Sequence, residues 1–153
     1  LNGYDQGANN TLTISDIDEV FKRIVTCPAN NETTIARFRS SVGNASGTAT
    51  FDSALDVQDV KYVRVTNLDS SNSLTLSLQV EVGEDDTGAD TSASVLVESG
   101  KSFMLGSPHD GIGAHASGST INANLITDLV DLDSLVVQPG SNSVNVEVYV
   151  ASA

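Results

Sequence analysis

The sequence predicts an all-β chain: a single-domain β-sandwich, jelly-roll or Ig-like, with short loops and a flexible N-terminal arm. Three observations predict it. Apolar and polar residues alternate at period two, almost without interruption in Val144-Asn-Val-Glu-Val-Tyr-Val150, which sets one face of a strand against a core and the other against water or a partner. Clusters of Gly, Pro, Asn, Asp and Ser punctuate the chain every 8–12 residues or so, the spacing of a sandwich of roughly eight to ten short strands. The 153 residues show no composition break and no solenoid-period repeat, so one domain is expected over 11–153.

Residues 1–10, Leu1-Asn-Gly-Tyr-Asp-Gln-Gly-Ala-Asn-Asn10, are polar and form the expected arm, with Tyr4 as its one aromatic side chain. Ser15-Asp-Ile-Asp18 is open to two readings. It could cap a helix bearing Ile17, Val20, Phe21 and Ile24 on one side; the β-branched and aromatic content of Val20–Cys27 favours a strand. Pro28-Ala-Asn-Asn-Glu32 supplies turn residues, and Thr33–Arg39 alternates again, so the two segments are expected to form a hairpin. A short strand, Thr48–Phe51, is possible in the following loop. Val60–Gly106 then reads as the central sheet: a strand to Asn67, a polar turn Asp69–Ser73, a strand Leu74–Val82, an acidic loop, and a return from Ser94 to Leu105. Ser107–Ser119 is a Gly/Ser-rich excursion. Ile121–Ile126 and Ser134–Gln138 follow as strands, with Asp128, Asp131 and Asp133 at the bend, and Pro139-Gly-Ser-Asn142 turns into the closing strand.

A chain of this length buries roughly 70% of its unfolded surface, enough for a core without staples. The single cysteine, Cys27, excludes an intramolecular disulfide and a thiolate zinc site. Seven Lys+Arg against twenty Asp+Glu give a formal charge of −13, which opposes nucleic acid and anionic lipid. No apolar run reaches the roughly 18 residues of a membrane helix, and the N-terminal segment lacks the basic and apolar regions of a signal peptide, so folding in a reducing cytoplasm is expected. Leu1 in place of Met leaves a preceding segment open.

Lys22, Arg23, Arg37 and Arg39 are four of the seven basic residues, which makes the expected hairpin the one electropositive feature of an acidic body. Either they guard an open sheet edge or, with Tyr4, they form a docking surface for an acidic partner. Glu84-Asp-Asp-Thr-Gly-Ala-Asp90 could converge on calcium but departs from EF-hand spacing and reads first as a solvated loop tip. Asp128, Asp131 and Asp133 read the same way. His109-Asp110 with His115 pairs imidazole with carboxylate, as metal and general-base sites do, yet the glycines between them remove the rigid support such sites need. Cys27 before Pro28 reads as a small buried hydrophobe. No catalytic, cofactor or metal residue is assigned and no cofactor is expected. Aromatics total 5% with no Trp; Phe21, Phe38, Phe51, Tyr62, Phe103 and Tyr149 fall in or beside strands and are expected mostly in the core, which weakens a glycan platform.

Lys61-Tyr-Val-Arg-Val-Thr-Asn-Leu-Asp-Ser-Ser-Asn72, Val97-Glu-Ser-Gly-Lys-Ser-Phe-Met-Leu105 and Val146-Glu-Val-Tyr-Val-Ala-Ser152, taken as an ordered set, resemble small structural proteins of tailed bacteriophages, marine and cyanobacterial podoviruses above all. The resemblance covers about the last two thirds of the chain. It implies a non-enzymatic virion component made in the host cytoplasm: a decoration (cement or knob) protein on the capsid surface, with the major capsid protein as partner and a dimeric or trimeric state. The alternatives are a tail-fibre part or a receptor- or glycan-binding module using the loops at Glu84–Asp90 and Ser107–Ser119.

Overall fold

The computed structural model describes residues 11–39, 54–80, 91–106, 108–112 and 131–153. Nine strands run through them: β1 (Glu19–Cys27), β2 (Thr33–Arg39), β3 (Leu55–Asp56), β4 (Val60–Asn67), β5 (Leu74–Val80), β6 (Thr91–Val97), β7 (Ser102–Leu105), β8 (Leu132–Pro139) and β9 (Val144–Ser152). They form two sheets, β1-β9-β4-β7 and β3-β2-β8-β5-β6. The alternation expected from the sequence is seen strand by strand. Val63 and Val65 of β4, Leu74, Leu76 and Leu78 of β5 and the four valines of β9 point inward and are buried, each contributing about 1.5–3 kcal/mol by leaving water.

With β3 set aside as a two-residue parallel addition to β2, the order β1-β9-β4-β7 facing β2-β8-β5-β6 is that of a jelly roll, in which successive strands mostly cross between the sheets. This corrects two expectations. β1 and β2 are not a hairpin: β1 pairs with β9 and β2 with β8. Nor is Val60–Gly106 one sheet, since β4 and β7 belong to the four-stranded layer and β5 and β6 to the five-stranded one. The return from Ser94 to Leu105 is two strands parted by a turn, where the Lys101 amide donates to Glu98 O at 3.1 Å and Gly100 takes φ +68°, a conformation glycine adopts without penalty. The helix reading of Ser15–Ile24 also fails: the segment enters β1 after Asp16 at φ +57°.

Short connections meet at one end of the sandwich and bind each other. Asn67, fully buried, donates to Asn72 O at 2.8 Å and Val97 O at 3.2 Å and accepts from the Asp69 amide at 3.0 Å. Asp69 accepts from the amides of Ser71 and Asn72 at 2.8 and 2.7 Å, and these bonds hold its carboxyl below the usual range. Asn142, in the turn before β9, donates to Asn72 Oδ1 at 3.1 Å. The Asn30 amide donates to Gly140 O at 2.9 Å. Polar turn residues thus satisfy one another's donors and acceptors at this end of the core.

Tyr4 and the arm, Thr48–Phe51, Glu84–Asp90, His115, Ile121–Ile126 and Asp128 lie outside the described residues.

Candidate interaction surface

Register decides what the outside of the four-stranded sheet carries. Across it, Ile24 opposes Glu147 and Glu147 opposes Thr66; Lys22 opposes Tyr149, Tyr149 opposes Arg64 and Arg64 opposes Met104; Val20 opposes Ala151 and Ala151 opposes Tyr62. Residues directly opposite share a face, so these three rows lie side by side on the outer side of the sheet, with Ala151 itself covered. At its centre Glu147 is clamped through both oxygens, by Lys22 Nζ at 3.1 Å from β1 and by Arg64 Nη2 at 2.9 Å from β4. Hydrogen bonds from Lys22 and then Arg64 lower the Glu147 carboxyl below its ordinary value, against a smaller opposing effect of burial. The Arg64 guanidinium lies over the Tyr149 ring, 5.3 Å from its centroid, and Tyr62 meets Tyr149 edge-on at 6.2 Å. Arg64 Nε is shielded and has no hydrogen-bond partner. Around this rigid centre stand apolar side chains in water: Ile24 at 62% exposure, Met104 at 61% and Val20 at 50%.

Tyr62 and Tyr149 were expected mostly in the core and sit instead half-buried on this exterior, while Phe38 is buried and Phe21 and Phe103 pack partly against the core. Arg64, Glu147 and Met104 were not singled out. Their signal was present: with Val63, Val65, Val146 and Val148 inward, the intervening residues must face out. What no local pattern shows is that they are neighbours.

The basic residues nominated for docking are dispersed. Lys22 is on the outer face of β1 and is bound to Glu147. Arg23 is on the core side of β1 but exposed, 5.8 Å from the Phe21 ring. Arg37 opposes Ser134, which opposes Gln79 on the outer face of the other sheet, and Arg39 is half-buried at the end of β2 in register with Asp56. Lys22 and Arg37 therefore occupy opposite exteriors, and the two strands do not present them on one hairpin surface.

Chemistry-bearing residues elsewhere are few among those described. Cys27 is buried, and burial pushes its thiol up against a smaller lowering by a hydrogen bond with Thr33, which suits the structural role expected. His109, Asp110 and Asp131 gather where β8 begins, with donor atoms within 4.8 Å of one another. His109 Nε2 lies 3.5 Å from Asp110 Oδ2 and 4.0 Å from Asp131 Oδ1, beyond a good hydrogen bond. Asp131 Oδ1 instead accepts the Asp110 amide at 2.7 Å. Three such donors can approach one divalent cation, yet Asp110 is open to solvent. Asp133, half-buried in β8, is not among the three.

Compared with protein-family models, with curated proteins and with solved structures, the chain finds no match.

Proposed function

We propose that this chain is a non-enzymatic virion structural module, a decoration protein that binds the outside of a tailed-phage capsid, with the major capsid protein as partner, through the outer face of β1-β9-β4-β7. One observation carries the binding surface: tyrosine, arginine, methionine and isoleucine are gathered on one exterior, the side chains that anchor protein interfaces. The virion assignment rests on the resemblance. A jelly roll is a fold of capsid and lectin domains alike, so it favours neither by itself. Function comes from area and repetition, since modest contacts multiplied over a shell hold by avidity.

The half-exposed Tyr62 and Tyr149 favour a second reading, a glycan-binding part of a tail fibre. Arg64 over the Tyr149 ring covers the aromatic face that a sugar would stack on, which places this reading second. Purified protein added to capsids assembled without it tests the two. Saturable rebinding that raises the shells' resistance to heat or force is expected for decoration. Binding to host cells or a glycan array, with none to shells, overturns it.

A further inference from the structure

We infer that β1 pairs edge to edge with β1 of a second copy, antiparallel about a two-fold axis at Phe21, so that the two four-stranded sheets become continuous. The inference stands apart from the capsid reading, because it concerns the isolated chain.

Among the described strands, the sheet edges are β1, β7, β3 and β6, of nine, four, two and seven residues. Short edges such as β3 and β7 are self-limiting. β6, Thr91-Ser-Ala-Ser-Val-Leu-Val97, carries no charge to specify a register. β1 differs on both counts. It is long, its Val20, Lys22 and Ile24 are exposed on the outer side, and Glu19 and Arg23 are exposed on the core side, flanking half-buried Phe21.

A two-fold axis perpendicular to the sheet keeps outer residues outer, so each pairing must be centred on a residue. Centring on Lys22 or on Arg23 sets that cation against its own copy, and like charges directly opposite destabilise. Centring on Phe21 sets Glu19 against Arg23 twice and Phe21 against Phe21 between them. It is the one register centred in β1 that opposes unlike charges of the strand itself. Among the described strands, none pairs with this edge of β1. The same pairing brings the two copies' Val20 and Ile24 onto one outer surface, doubling the patch.

Sedimentation equilibrium of the whole chain is expected to show a monomer–dimer equilibrium. Glu19→Arg and Arg23→Glu should each weaken it about tenfold or more, and the double exchange Glu19→Arg/Arg23→Glu should restore it to within about threefold. A second probe fixes the register. Oxidised Phe21→Cys should yield a covalent dimer, since directly opposed residues come within disulfide reach, whereas Ile24→Cys, about 20 Å from its copy in this register, should not. A chain monomeric up to about 1 mM, a double exchange no tighter than the single variants, or cross-linking through position 24 in preference to 21 overturns the inference.

Discussion

The two outer faces of the sandwich share a backbone plan and differ in what they hold out to solvent. On the five-stranded side the outward positions include, among the described residues, Thr34, Arg37, Thr75, Ser77, Gln79, Ser92, Ser94, Ser134, Val136, Leu96 and Gln138. The small polar side chains there satisfy one another, with Gln79 Nε2 donating to Ser77 Oγ at 2.8 Å, and Leu96, 67% exposed, is the large apolar exception. The four-stranded side carries two tyrosines, a clamped arginine–glutamate–lysine set and three exposed apolar residues. Small hydroxyls are easily hydrated and present little area to a partner, whereas preordered large side chains lose little further entropy when covered. The contrast teaches what each exterior offers: small, easily hydrated groups on one, and on the other the large side chains that the proposed docking would cover.

The deepest cut is at what both faces hang from. Asn67→Leu leaves the carbonyls of Asn72 and Val97 and the Asp69 amide without their partner, and should cost about 3 kcal/mol, read as a lower urea midpoint with an unchanged slope. A loss under about 1 kcal/mol would show that the corner is not what joins the layers.

Next comes occupancy. Ile24→Asp with Met104→Asp should reduce capsid affinity about a hundredfold at near wild-type thermal stability, while Leu96→Asp should leave it unchanged. Equal losses from the two faces would erase the functional contrast. Arg37→Glu is now expected to leave capsid occupancy unchanged, because Arg37 lies on the other side.

The clamp at Glu147 supplies a pH test. Its folded-state pKa lies below the unfolded value of about 4.3, as does that of Asp69 relative to about 3.9. In the interval between folded and unfolded values the unfolded chain binds more protons. Stability contributed by these groups is therefore complete above the unfolded values and disappears as pH falls through the lowered ones. Glu147→Gln should flatten the fall in unfolding free energy through that acid window. An unaltered slope would mean that the clamp contributes nothing to folding.

The smallest effect belongs to the wet face. Ser77→Ala and Ser94→Ala should each stay within about 0.5 kcal/mol in denaturant unfolding and leave occupancy alone. A larger loss would give that face a structural role the contrast denies it.

Much of this was legible in the residues. Val144–Val150 declares its own inner and outer sides, Cys27 declares burial, and Pro28–Glu32 and Pro139–Asn142 declare turns. The chain's sandwich class follows from such local signals, because pleating and turn chemistry act over a few residues. The hairpin expected from β1 and β2 failed because a tight turn between strands specifies reversal and says nothing of whether the chain stays in its layer. Tyr62 and Tyr149 were misplaced because a half-exposed aromatic side chain and a core one alternate in the same way.

By itself, then, the sequence determined most of the described strands and their apolar sides, the acidic charge and the absence of a disulfide framework within the chain, but neither β3 nor the break between β6 and β7. Tertiary structure alone decided the jelly-roll order and the neighbours on each face. Arg64 and Glu147 are 83 positions apart, and no short-range preference links them; they meet because β9 inserts between β1 and β4, a choice made by the packing of the whole core. A period of two tells a side chain which way to point, and only the register of paired strands tells it whom it will touch.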